Sequence, residues 1–251
     1  MADNENQVLV QVHNGVATLT LSRPSVLNAI TREMLEQLAT AIDTVSGDPS
    51  VRVVVLTGAG RAFSAGVDLK ALGGRSLSGG GVGEYLDLPA REVIERLTTI
   101  PQIVIARVNG HCFTGALELV LACDLAIVAL EAKLGDTHAK WGLRPSWGMS
   151  QRLIRVVGMS RARELSYTAR TFSGAEAAEW GIAVRSVPLD ELDDAVNEVV
   201  DAITSNSRGS LAAYKDLYRR ALDVGQSEGL SYESSTDFSI EDTDERIARF
   251  K

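Results

Sequence analysis

Two apolar runs, Val51 to Leu56 and Ile103 to Val108, each lead into a glycine-bearing segment, and these two junctions constrain the chain most. The first segment is Phe63-Ser64-Ala65-Gly66-Val67-Asp68-Leu69; the second runs from Val108-Asn109-Gly110 through Thr114-Gly115 to Glu118-Leu119. Nearly continuous β-branched sequence is what a strand buried on both faces requires. Each junction reads as strand, glycine turn and helix start, which leaves backbone N–H groups unpartnered and pointing outward. Two such ends facing each other would hold one developing negative charge, with Glu118 three residues beyond Gly115 as an attached base.

The rest of the chain supplies the alternation such junctions need. Residues 8–22 read as two short strands around an Asn14-Gly15 turn, and Arg23-Pro24 forces an extended or turning connection. Thr31 caps a helix over 32–46, with Glu33 in its first turn and Met34, Leu35, Leu38, Ile42 and Val45 at helical spacing. A third strand is expected over Leu125 to Ala129, and helices over about 89–99 and 115–123. Strands alternating with helices predict an α/β fold with a largely parallel sheet. The Gly- and Ser-rich stretch 73–83 reads equally as an active-site lid or an exposed linker. From about 148 the pattern turns helical: Ser173-Gly174-Ala175-Glu176 is a capping box, Gly181 a stop, and 190–204, 209–224 and 227–236 are further helices. The expected division is a core over 1–188 and a helical subdomain over 189–251.

A net charge of −8 argues against a nucleic-acid partner, which would favour clustered Lys and Arg. With aromatics at 5%, the core must rest on Val, Leu, Ile and Ala. Cys112 and Cys123 sit in apolar sequence as buried thiols do, and with His13, His111 and His138 the only histidines a structural zinc site is not expected. The apolar stretch 119–130 is interrupted by Asp124 and too short to span a bilayer, and the first residues lack the pattern of a secretion signal. The expected compartment is the cytoplasm, with no membrane partner.

Gly115 stands where a helix begins, so its N–H is free, and the absence of a Cβ lets a ligand oxygen approach. Glu118 either complements the helix dipole on a wet surface or works as a base; the apolar neighbours Ala116, Leu117, Leu119, Val120 and Leu121 argue for burial. Gly58-Ala59-Gly60 suggests a dinucleotide loop, but the fingerprint fails because Phe63 occupies its third glycine. The useful group there is the Val67 N–H, with Gly66 supplying the bend and Asp68 read as a cap or turn residue.

Arg23-Pro24 with Asn28-Ala29-Ile30, Phe63 to Leu69, Asn109-Gly110 through Glu118, and Cys123-Asp124 together resemble the enoyl-CoA hydratase/isomerase (crotonase) superfamily. The match runs in order along nearly the whole chain. It implies a crotonase-like spiral of ββα units with a helical C-terminal trimerisation subdomain, a homotrimer or dimer of trimers, and an acyl-CoA thioester substrate. No separate cofactor is implied, coenzyme A being part of the substrate. Carried over by position, Val67 and Gly115 become the oxyanion donors and Glu118 the first catalytic glutamate; Val26, Ala29, Ala65, Asp68 and Leu69 become the wall that receives coenzyme A. The second glutamate of the hydratases is replaced by His138, with Asp136 two residues earlier, and His138 is read as a general acid or a pocket-lining residue. Trp141 and Trp147 read as packing or acyl-pocket wall. The activities expected are hydration of a 2-enoyl-CoA, double-bond isomerisation, or non-catalytic acyl-CoA binding.

Overall fold

In the computed structural model, residues 6–72 and 78–249 are described. The alternating residues 8–22 form the hairpin β1 (Val8–His13) and β2 (Val16–Leu21), paired antiparallel. β2 then pairs in parallel with β3 (Val53–Gly58), β3 with β5 (Ile103–Val108), and β5 with β7 (Leu125–Ala129). β10 (Arg185–Val187) completes this six-stranded sheet beside β7. All six residues of β3 are buried, as its β-branched run requires.

Three very short strands, β4 (Ala62–Ser64), β6 (His111–Phe113) and β8 (Lys133–Gly135), line up in parallel in a second sheet, closed by the antiparallel β9 (Phe172–Ser173). Each follows a strand of the large sheet and precedes a helix: α2 (Glu84–Thr99), α3 (Gly115–Val120) and α4 (Met149–Thr168). The chain therefore repeats a ββα unit, one strand per sheet in each turn of a spiral. The three-residue strands carry too little periodicity to be read from sequence.

Helix α1 (Arg32–Ser46) starts where expected, Thr31 Oγ1 accepting from the Met34 N–H at 3.1 Å. α2 begins five residues before the expected position 89. Pro89 lies inside it and leaves the Tyr85 carbonyl without its helical donor, and the Arg32 guanidinium donates to that oxygen instead at 3.3 Å. α3 is shorter than expected, ending at Val120. Of the stretch 73–83, read as lid or linker, residues 73–77 lie outside those described; residues 78–80 form a 3-10 turn tied to the Arg144 N–H through the Gly80 carbonyl at 2.8 Å.

The capping box forms as read and opens α5 (Gly174–Glu179). The C-terminal helices are α6 (Leu192–Thr204), α7 (Arg208–Ala221) and α8 (Gln226–Ser235), near the expected spans, with an unanticipated α9 (Thr243–Ala248). No helix among the described residues is long and apolar enough to cross a membrane.

One buried charge ties α7 to the sheet. Lys215 Nζ donates to the carbonyls of Leu97 and Gln102, each at 2.9 Å, and pairs with Asp124 Oδ2 at 2.8 Å. Removing one partner of such a pair leaves the other charge and two carbonyls unsatisfied. Lys215→Met is therefore expected to lower the unfolding free energy by about 3 kcal/mol in urea titration; an unchanged midpoint would contradict this.

Candidate active site

The first glycine segment follows β4, and its Val67 forms a single parallel bridge with Ile30. The Ile30 N–H donates to the Gly66 carbonyl at 2.8 Å and the Asp68 N–H to the Ile30 carbonyl at 2.9 Å. This pairing uses the groups on either side of Val67 and leaves its own N–H facing away. The free N–H arises from a one-residue bridge, and the helix start expected here is replaced by a turn. Gly58-Ala59-Gly60 likewise leads into a strand, consistent with its failure as a nucleotide loop. The second segment passes through β6 before α3 begins at Gly115, whose helix has no side-chain cap. Its first N–H groups therefore have no intrahelical acceptor, but the space a Gly115 Cβ would take is filled by the Trp147 indole, 2.5 Å away, rather than left for a ligand oxygen as the sequence suggests.

These two turns touch. Gly66 has φ +88°, and a Cβ built on it would lie 2.1 Å from Thr114 Oγ1 and 2.7 Å from the Phe113 carbonyl oxygen. Only glycine permits both that backbone angle and that approach. Asn28 and Asn109 hold the 58–62 loop between β3 and β4 from both sides: Asn28 Nδ2 donates to the carbonyls of Ala59 and Ala62, Asn109 Nδ2 to those of Gly58 and Gly60. Thr114 takes φ 48°, fixed by its N–H on the Gly135 carbonyl at 2.9 Å.

Beside the turns lies a cavity of about 110 Å³, lined by Ala65, Val67, Leu69, Thr114, Glu118 and His138, and walled by Trp141, Leu143, Arg144 and Trp147. Glu118 is only 1% exposed, which excludes the wet-surface reading. Its Oε1 accepts from the N–H groups of Trp147 at 3.0 Å and Met149 at 2.9 Å. Gly148 between them, at φ 115°, lets the chain wrap both donors onto one oxygen. Oε2 is left facing the cavity, 3.6 Å from His138 Nε2. Burial pushes the Glu118 carboxyl above its ordinary value, against the pull of the Met149 N–H, the His138 ring and the Trp147 N–H.

His138 lies behind that oxygen, its Nδ1 2.7 Å from Asp136 Oδ1, while Ser166 Oγ on α4 donates to Asp136 Oδ2 at 2.7 Å. Burial acts to raise the Asp136 carboxyl, but hydrogen bonds from His138 and Ser166 outweigh it and hold it below its ordinary value. Sequence reading noted Asp136 without a use for it, and missed Ser166 and Asp87 altogether. Asp87, buried on α2, accepts from Trp147 Nε1 at 2.9 Å and Ser146 Oγ at 2.6 Å, and so fixes the indole that covers Gly115. Its place among the apolar positions of α2, between Leu86 and Ala90, was the available signal.

Val26, Ala29, Ala65, Asp68 and Leu69 come together because the 27–30 segment pairs along 65–68, the Ala65 N–H donating to the Leu27 carbonyl at 2.9 Å. Ala65 and Leu69 reach the cavity; Val26 and Ala29 are not among its lining residues. Asp68 is a turn residue, accepting from the Lys70 and Ala71 N–H groups and pairing with Arg23 at 2.9 Å.

The repeated ββα spiral has counterparts among known proteins. The profile of the enoyl-CoA hydratase/isomerase family matches residues 11–248, and the chain belongs to that family. A probable peroxisomal enoyl-CoA hydratase 1 of Arabidopsis thaliana is 34% identical over 92% of this chain and 85% of its own. The crystal structure of an enoyl-CoA hydratase from Bacillus anthracis superposes with TM-score 0.86 at 33% identity, covering 91% of this chain and 88% of that one. A monofunctional enoyl-CoA isomerase from M. smegmatis superposes with TM-score 0.78, also at 33% identity, over 93% of this chain and all (100%) of that one.

The Glu118 geometry has a consequence for stability. Because the folded state raises this carboxyl, it holds the proton where the unfolded chain has lost it. Stability therefore falls as pH rises from the ordinary glutamate range through the raised folded value. Glu118→Gln removes that loss and is expected to melt higher than the wild type at pH above the raised value, the difference shrinking as pH falls through it. A lower melting temperature than the wild type there would contradict the assignment.

Proposed function

We propose that the protein hydrates a 2-enoyl-CoA to a 3-hydroxyacyl-CoA. The observation that carries this reading is Glu118, a buried carboxylate with one oxygen held by two backbone donors and the other turned into a cavity beside two open N–H turns. The Val67 and Gly115 N–H groups take the thioester oxygen and stabilise the enolate that forms; loss of one such donor is typically worth about 3–4 kcal/mol of barrier. Glu118 removes a proton from water as it adds to C3, and His138 supplies the proton at C2. Each such step typically contributes roughly 10²–10⁴-fold. Coenzyme A enters as part of the substrate, received along the 26–29 and 65–69 segments, and the chemistry asks for no separate cofactor.

Isomerisation of an enoyl-CoA double bond is the second reading, favoured by His138 standing where a second glutamate is expected. It needs one base, Glu118, to carry a proton between carbons. An acyl-CoA binding protein without turnover is the third.

The division into a core over 1–188 and a helical part over 189–251 belongs to the same reading, the latter building a homotrimer or a pair of trimers. Tyr214 and Tyr218 on α7, Leu222 just past its end and Leu230 on α8 are exposed and support it. Light scattering should return three or six times the 26.9 kDa chain; the mass of one chain would refute it.

With crotonyl-CoA, the conjugated thioester absorbance should disappear, and Glu118→Gln should slow this at least about 100-fold. Unchanged turnover in that variant would remove Glu118 from the mechanism. Turnover of a 3-enoyl-CoA without hydration would favour the isomerase, and tight binding without any turnover the binding protein.

A further inference from the structure

We propose that Asp136, braced by Ser166, is a positioning residue that keeps a proton on His138 Nδ1 and thereby makes Nε2 the nitrogen that gives and regains the catalytic proton. The inference rests on the hydratase reading of the same site and goes beyond it by assigning the proton's path.

The geometry leaves little choice of roles. Asp136 is 3% exposed, and its two oxygens are taken separately, Oδ1 by the His138 ring at 2.7 Å and Oδ2 by the Ser166 hydroxyl at 2.7 Å. The His138 backbone N–H also points at Oδ1, at 3.3 Å. An ionised carboxylate only accepts, so Nδ1 must carry hydrogen. Nε2 then carries hydrogen in the imidazolium and is bare in the neutral ring. It faces Glu118 Oε2, the oxygen that receives no backbone donor.

The charged groups around the ring come from each element packed on it. Glu118 faces it from α3 and Asp136 from its own segment. On α4, Ser166 braces Asp136, and the half-buried Arg152 lies near Glu118. Arg144 stands at the cavity wall.

Proton accounting shows why the tautomer matters. Hydration places the hydroxyl of water on C3 and its proton on Glu118 Oε2. The His138 Nε2 proton goes to C2. The site is then left with a protonated Glu118 and a neutral His138 whose Nε2 is bare. Transfer from Oε2 to Nε2 across the 3.6 Å gap restores both groups, and the net change is the addition of one water. That separation exceeds a formed hydrogen bond, so the transfer needs a small approach or one bridging water. A neutral ring with its hydrogen on Nε2 could not accept the Glu118 proton, and the cycle would stall. Asp136 excludes that tautomer.

Two measurements test this. In wild-type protein labelled with ¹⁵N-histidine, three ring systems are visible, and a His138→Asn variant assigns the one of interest. Nδ1 of His138 should stay proton-bearing throughout its titration while Nε2 changes; a neutral ring with bare Nδ1 overturns the proposal. Asp136→Asn should lower kcat at least about tenfold, as the loss of a partner that orients a histidine commonly does, with KM for the enoyl-CoA unchanged. Its neutral His138 should also populate the Nε2-protonated form. Wild-type kcat in Asp136→Asn overturns the positioning role, and if that variant does not fold the wild-type spectrum decides alone. Glu118→Gln and His138→Asn are assayed beside it. Retained activity in both would sink the hydratase assignment itself, whereas their collapse beside an intact Asp136→Asn would sink only the positioning role.

Discussion

The backbone contact between Gly66 and the Phe113–Thr114 turn is the constraint on which the site depends. Nothing larger than glycine fits that approach, since a Cβ would lie 2.1 Å from Thr114 Oγ1. The contact holds the Val67 turn, from one ββα unit, against the start of α3, from the next. Each turn alone is an ordinary irregularity at a strand end. With the 58–62 loop before β4 pinned by Asn28 and Asn109, the two turns rest on two sheets rather than on mobile loops, as the two proposed donors require. Preorganised donors of this kind cost no reorganisation when charge develops.

Glu118 depends on the same rigidity. A buried carboxylate is tolerated where donors compensate it, and here the Trp147-Gly148-Met149 loop supplies two N–H groups to one oxygen. The second oxygen remains poorly solvated, which destabilises its charge and raises its basicity. Asp87 on α2 fixes the Trp147 indole and so stabilises this loop from a third helix. The site thus draws on the turn after β4, α2, α3, the segment after β8 and α4, five parts of the chain brought together by the spiral.

Much of this was legible in the sequence where a local pattern exists. The β1–β2 hairpin turn, the Thr31 cap, the β5 and β7 strands and the Ser173 capping box follow from local chemistry and stand where it put them, while β3 begins and ends two residues beyond the expected 51–56. The burial of Glu118 followed from its apolar neighbours. The three-residue strands β4, β6 and β8 were not legible, because their partners are supplied by distant turns of the spiral. Pro89 misled for a tertiary reason, its missing N–H being compensated by Arg32 from another helix. Ser166 and Asp87 acquire roles only through partners 30 and 60 residues away, which no window of sequence contains, and Asp136, though two residues from His138, is braced from the same distance by Ser166. The first glycine segment leaves the Val67 N–H open by a different local structure from the one its sequence suggests, a bridge in place of a helix start.

The central claim is that the two interlocked turns polarise one thioester carbonyl. It is tested most directly by the vibrational difference spectrum of an enoyl-CoA bound to the Glu118→Gln variant, which keeps both turns but lacks the base. The account predicts a carbonyl stretch moved to lower wavenumber than in free enoyl-CoA, because two N–H donors draw charge onto the oxygen. A bound thioester whose carbonyl stretch matches that in water, or moves higher, would contradict it.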